Sequence, residues 1–194
     1  MLKAANSHRP QIQRGPITLV PISVIDEHIL EVLKQSLKLT FERTIESSVK
    51  IWNLNYAYNP RRKQYSSARL LWRLRHIRKG ADDKILGIVD VDLYSPQWEY
   101  IFGEAEINSG IATLSLFRLR PKHYDITSDA KLFERRVVKE AVHELGHLYQ
   151  LGHCENSKCV MCFSTSLSAI DRKTKHFCSN CQQELKQSLN GGST

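Results

Sequence analysis

The chain has 194 residues, 41% hydrophobic and 25% charged, with a formal net charge of +8. That suits one domain, or a domain with a small subdomain, and excludes a disordered chain. No apolar run approaches the ~20 residues that span a bilayer, and Met1 to Gly15 is polar and basic without an apolar core, so it does not read as a secretory signal. A cytoplasmic location follows by default, and the five cysteines then read as thiols or metal ligands, not disulfides.

Residues 1–15 read as a flexible arm. Ile17 to Ile22 is a short β-branched run and predicts a first strand. Asp26 is a candidate N-cap. Ile29, Leu30, Leu33, Leu37 and Phe41 follow at helical spacing to about Thr44. Val49 to Leu54 alternates and predicts a second strand, completing a βαβ unit with parallel strands. Asn59 to Lys63 reads as a loop. Ser66 or Ser67 can cap a helix to about Arg78, which Gly80 stops. Ile85 to Val91 is nearly all apolar, as in a central strand buried on both faces. Ser95 to Gly103 reads as a loop, and Ile111 to Phe117 as a half-buried edge strand. Ser128 or Asp129 caps a last long helix, whose stripe of Leu132, Phe133, Val137, Val138, Ala141, Val142, Leu145 and Leu148 is nearly wide enough for full burial. After His153 the composition turns to cysteine and lysine, which sets a subdomain boundary. Gly191 to Thr194 reads as a frayed tail.

The positive charge is uneven. Residues 61–79 hold Arg61, Arg62, Lys63, Arg69, Arg73, Arg75, Arg78 and Lys79 with no acid between them. The first reading is a solvated helix face; the second is an anionic or nucleic-acid partner.

Chemistry concentrates in His143-Glu144-Leu145-Gly146-His147-Leu148-Tyr149-Gln150-Leu151-Gly152-His153. His143 and His147, four apart on a helix, share a face on successive turns. Glu144 stands beside the first and can reach a metal-bound water. His153 reaches the same point only if the chain turns after about residue 150. Three protein ligands with one open position are the pattern of catalytic zinc. The bare H-E-x-x-H arises by chance in roughly one in two hundred chains of this length, and a third histidine at this offset is about fifty times rarer still. Those odds disfavour an amphipathic helix with surface histidines.

All five cysteines lie between positions 154 and 181. Cys154 with Cys159, and Cys178 with Cys181, form two close pairs at the spacing of a closed tetrahedral zinc site. Cys162 is the second choice for the place of Cys159. The metal would be structural and would supply folding energy to a segment too short to fold alone. Lys158, Arg172, Lys173, Lys175 and His176 are at hand to offset the thiolate charge.

With these residues, and with Cys159-Val160-Met161-Cys162-Phe163, Cys178-Ser179-Asn180-Cys181, Gly87-Ile88-Val89-Asp90-Val91-Asp92-Leu93-Tyr94 and Ser115-Leu116-Phe117-Arg118-Leu119, the chain resembles the archaemetzincins, metzincin-type zinc metallopeptidases. The resemblance implies an α+β or α/β, metzincin-like fold: a twisted mixed sheet with a backing helix and an active-site helix, plus a small zinc-stabilised C-terminal subdomain. The implied division is a catalytic subdomain at 16–153 and a C-terminal one at 154–190. It implies two zinc ions per chain. One, catalytic, is held by His143, His147 and His153; the other, structural, by Cys154, Cys159, Cys178 and Cys181. Glu144 becomes the general base and acid, and Met161 the Met-turn methionine beneath the metal. On packing grounds alone, Met161 is a flexible gap-filler. The implied partner is a peptide or protein substrate, and endopeptidase and aminopeptidase are both compatible. An extended substrate is expected to pair with the strand at Ile111–Phe117, and carboxylates are expected to orient the imidazoles.

One position departs from the metzincin pattern, which has glycine three residues after the second histidine. Here it is Gln150. Either Gln150 takes a left-handed conformation at a cost of roughly 1–2 kcal/mol, or the turn differs and His153 is placed less well. Two rival readings remain: a zinc-bound pseudo-enzyme or strict processing peptidase, and a zinc-ribbon nucleic-acid-binding module using the Arg61–Lys79 stretch.

Overall fold

The computed structural model describes residues 15–120 and 129–190. The flexible-arm reading, apart from Gly15, the Ser128 cap and the frayed tail lie outside these residues.

Strand β1 (Ile17–Ile22) leads into helix α1 (Glu27–Phe41), capped by the Asp26 side chain, which accepts from the His28 N–H. Ile29, Leu33, Leu37 and Phe41 fall on one stripe and are buried. Each contributes roughly 1.5–3 kcal/mol of transfer free energy. The helix ends earlier than its apolar spacing suggests. Glu42 turns left-handed (φ 51) and its N–H closes on the Lys38 carbonyl. Strand β2 therefore falls at Ile45–Ser47, not at Val49–Leu54. Residues 48–51 still follow β1 loosely: the Ser48 and Ile51 N–H groups donate to the carbonyls of Leu19 and Pro21.

The loop expected at Asn59–Lys63 is the turn of a hairpin between β3 (Tyr58–Asn59) and β4 (Gln64–Ser66), with Asn59 itself in the strand. Helix α2 (Ser67–Leu74) then buries Leu70, Leu71 and Leu74. Ser66 stands at its N-cap but its side chain makes no cap hydrogen bond, and the helix stops short of Arg78. Strand β5 (Lys84–Val89) follows. The segment expected to be a loop at 95–103 instead holds all of β7 (Trp98–Ile101), the last residue of β6 (Leu93–Ser95) and the first of β8 (Gly103–Glu106), with β7 antiparallel to β6. Strand β9 (Ile111–Ser115) precedes α3 (Ala130–Leu148), capped by Asp129, whose side chain accepts from the Leu132 N–H. Two further helices, α4 (Leu167–Arg172) and α5 (Ser179–Asn190), complete the described residues.

The main sheet runs β2-β1-β5-β9-β8, parallel except for β8 against β9. Pleating sends Ile17, Leu19, Leu86, Ile88, Ala112 and Leu114 to one face, beneath α1 and α3. Val20, Ile22, Ile85, Val89 and Ile111 face α2 on the other. The strand at Ile111–Ser115 is thus an inner strand, buried at every position. The edge belongs to β8, because the hairpin-like return of residues 103–106 adds one more strand outside it. A smaller sheet, β3-β4-β6-β7, stands beside the first, and the chain passes between them at Phe102.

Candidate metal centre and active-site cleft

Helix α3 is buried along most of its length, including His143 and Glu144. Its end is a Schellman motif. The Leu151 N–H donates to the Gly146 carbonyl (3.1 Å) and the Gln150 N–H to that of His147 (2.8 Å). Gln150 takes the left-handed conformation at φ 68. The first of the two alternatives for this residue therefore holds: the turn is of the expected kind, built on a strained glutamine. Gly152 has open space around it and a negative φ, so it does not relieve the strain.

The turn brings His153 back to the helix. Its ring lies 4.8 Å from that of His147 and 5.4 Å from that of His143, centroid to centroid. His143 Nδ1 lies 2.9 Å from the Val160 carbonyl and His147 Nδ1 lies 2.8 Å from that of Leu151. A carbonyl can only accept, so both Nδ1 atoms carry the proton and both Nε2 lone pairs are free. Those Nε2 atoms stand 3.2 Å apart. Two nitrogens about 2.0–2.1 Å from one tetrahedral zinc would be about 3.3 Å apart, so the pair fits that ion. Backbone carbonyls, not the expected carboxylates, orient these two rings. Burial pushes all three imidazole pKa values down, that of His143 furthest, and Lys173 adds to each shift. Each shift favours the neutral form, the one that binds a metal.

Glu144 is buried, and burial, with Glu140 next, raises its pKa well above the ordinary carboxyl value. It packs on bare backbone: a Cβ on Gly103 of β8 would lie 2.5 Å from Glu144 Oε1. Met161 is fully buried, and a Cβ on Gly146 would meet its Sδ at 2.4 Å. The glycine of the helix and the methionine are thus fitted to each other.

A cleft of about 510 Å³ opens over these groups. β7 and β8 form one wall; His143, Glu144, His147, His153 and Phe163 to Thr165 form the other. The Tyr100 hydroxyl joins the walls by donating to the Thr165 carbonyl (2.7 Å). Trp98 and Phe163 line the mouth with rings 5.7 Å apart, and Phe163 also packs on His153. Sequence pattern did not single out Gly103, Tyr100 or Trp98, because none belongs to a spaced motif.

The sulfurs of Cys154, Cys159, Cys178 and Cys181 gather in a second cluster, with all ligand atoms within 4.8 Å of one another. Cys154 Sγ and Cys178 Sγ are 3.8 Å apart, the separation of two thiolates about 2.3 Å from one tetrahedral zinc. Cys162 stays outside, its thiol directed to the Phe163 carbonyl. The Cys181 N–H, in the first turn of α5, is the largest influence drawing the Cys178 thiol down to about 7; burial pushes Cys154 and Cys181 up. Lys173 is not among the cations flanking this cluster. It is turned inward against Glu140.

A sheet with a buried helix presenting two imidazoles and a carboxylate, and a third imidazole on the turn beyond, defines a zinc metallopeptidase of metzincin type. The comparisons agree. The profile of peptidase family M54 matches residues 21–187. The archaemetzincin of Pyrococcus furiosus is 37% identical over 187 residues, covering 92% of this chain and 96% of its own. The crystal structure of a zinc-dependent peptidase from Methanocorpusculum labreanum superposes with a TM-score of 0.80 at 31% identity, covering 87% of this chain and 99% of that one. That of the archaemetzincin from Methanopyrus kandleri gives 0.80 at 34%, covering 93% and 98%. The chain belongs to peptidase family M54, the archaemetzincins.

Proposed function

We propose that this metallopeptidase hydrolyses peptide bonds with Glu144 as general base, that His143, His147 and His153 hold a catalytic zinc, and that Cys154, Cys159, Cys178 and Cys181 hold a second, structural one. The observation that carries the reading is convergence: three imidazoles and one buried carboxylate open into a single cleft walled by an edge strand. When bound, zinc lowers the pKa of a coordinated water and polarises the scissile carbonyl.

Glu144, held by Gly103 and α3, accepts the proton of the attacking water and returns it to the leaving amine. The outer edge of β8, not that of β9, is free among the described residues to pair with an extended substrate backbone. Trp98 and Phe163 then meet a substrate side chain at the mouth. Met161 fills the floor beneath the imidazoles. The catalytic part comprises residues 16–153 and the thiol-bearing part residues 154–190. Free thiols suit a reducing, cytoplasmic setting, and no helix among the described residues is long and apolar enough to cross a membrane.

The test pairs Glu144→Ala with the parent on a diverse peptide library, with zinc per chain measured in both. Turnover should fall about 10²–10⁴-fold, the range for a lost acid–base group, with zinc content unchanged. Equal turnover by the variant would remove Glu144 from the reaction. A single zinc per chain in the parent would remove one of the two metal sites.

A further inference from the structure

Lys173 has no part in the chemistry above, yet it is one of the most buried side chains of the protein. It is 1% exposed, and its ammonium lies 2.8 Å from Glu140 Oε1, on a side chain 4% exposed. The contact is ionic, outside the angular range of a hydrogen bond. An ammonium is withdrawn from water this far only when it is paired. Lys173 Nζ also donates to the carbonyl of Cys162 (3.3 Å).

These contacts close a loop through the imidazole site. Glu140 lies three residues before His143 on α3, about one turn away. From Glu140 the loop passes through Lys173 to the Cys162 carbonyl. Two residues back along the chain, the Val160 carbonyl accepts from His143 Nδ1 at 2.9 Å. Met161, between them, packs on Gly146 of the same helix. The turn at 159–162 is therefore held to α3 from both ends, by an imidazole at one and by Lys173 at the other. Arg136 and Lys139, on the same helix, grip α4 through Asp171 and the Ile170 carbonyl without touching that turn.

We propose that Lys173 is a positioning residue: by bridging Glu140 and the Cys162 carbonyl it fixes the Val160 carbonyl that orients His143, and so sets how tightly the imidazole site holds its metal. The proposal rests on the imidazole reading of the preceding section. Charge and positioning separate in the test: removing the ammonium and the Glu140 carboxylate together leaves the net charge beside the imidazoles unchanged, whereas loss of positioning loosens metal binding.

The test is the full chain carrying Lys173→Met with Glu140→Leu, which removes the bridge and leaves no unpaired buried charge. Cobalt(II) is titrated into each protein. Thiolate charge-transfer bands report the cysteine cluster, and the weaker ligand-field bands of a nitrogen site report the imidazoles. Zinc competition gives both affinities. The double variant should fold, keep its thiolate bands and lose about 10–100-fold in affinity at the imidazole site, the range for a lost ligand-orienting contact. Lys173→Arg, which keeps cation and donor, should stay close to the parent. Arg136→Met with Asp171→Leu should lower the melting temperature without moving that affinity, separating positioning from general stability. Unchanged or tighter imidazole-site affinity in the Lys173 and Glu140 double variant overturns the proposal while leaving the metal site standing. Absence of imidazole-site binding in the parent overturns the underlying reading itself.

Discussion

The three imidazoles and the four thiols meet at adjoining residues, His153 and Cys154, yet the fold holds them in opposite ways. Two imidazoles stand on a 19-residue helix buried in the main core, their rings fixed by the carbonyls of Val160 and Leu151. The third returns on a turn tied by two backbone hydrogen bonds. The thiols come from separate segments between 154 and 181, and residues 152–166 contain neither strand nor helix. On the proposed reading, the imidazole cluster is shaped by the helix and its turn. The thiol cluster, though its segments also pack on the main core, would gain from a metal that ties them together, as in small zinc domains generally. On that reading the imidazole site gains its rigidity from the sheet and α3, and the segment that carries the thiols would gain part of its own from zinc.

The largest expected effect breaks the weaker side of this contrast. Cys178→Ser should remove several of the ~10–16 kcal/mol that a structural zinc supplies. Amide exchange across 154–190 should rise while β1, β5 and β9 stay protected. His147→Ala should abolish turnover but leave exchange across 154–190 unchanged. If both substitutions leave 154–190 equally protected, the thiol cluster is as preformed as the imidazoles and the contrast fails.

The next effect falls on the rigid side and touches no metal group. Gly103→Ala puts a methyl where the Glu144 carboxylate lies, 2.5 Å from Oε1, so the carboxylate or β8 must move. A displacement near 1 Å costs about 10²-fold in rate. Turnover should drop by that order with zinc content and melting little changed. Retention of full turnover would mean that β8 does not fix Glu144.

The third effect is a gain. Gln150 pays the left-handed penalty in the Schellman turn, so Gln150→Gly should stabilise the protein by about 1 kcal/mol, the relief of strain less the added chain entropy of glycine. Denaturant midpoints would measure it. Because the turn is built by α3 itself, the gain should be the same with and without metal. A gain confined to the metal-loaded protein would show that zinc, not the helix end, imposes the turn.

The same contrast explains how much was legible in the sequence. The imidazole cluster spans eleven consecutive residues on one helix and its turn, so local periodicity was enough to assemble it, and Gln150 fell where the glycine position said it would. The cysteine pairs were legible from spacing alone, since few other structures use four thiols this way. Burial of β1, β5, α1 and α3 followed from apolar period. What escaped was set by distant pairing. Strand β9 reads as an edge by its alternation, and only the return of β8 makes it internal. β7 and β8 carry Glu99, Glu104 and Gly103, a poor strand pattern, and exist because β6 and β9 offer them partners. Lys173 reads as a cation offsetting the thiolates because its partner, Glu140, lies 33 residues away on a different element. Gly103 had no signal, since a glycine beside a carboxylate is visible only in space.

The smallest effect tests the frame that keeps the imidazole side rigid. His28, at the start of α1, meets Glu134 of α3 at 2.8 Å. That hydrogen bond, more than any other influence, raises its pKa above 6.5. A group whose folded pKa is raised stabilises fully below its unfolded pKa, and the contribution is lost as pH rises through the folded value. The melting temperature should therefore fall slightly as pH rises from about 6.5 through the raised pKa of His28. The pair is exposed, so the slope is shallow. His28→Gln should flatten it in the parent and in Cys178→Ser alike, since α1 and α3 also pack directly on each other. A slope that vanishes in Cys178→Ser while His28 is intact would tie the α1–α3 frame to the zinc-held segment, and the two regions would then be one cooperative unit.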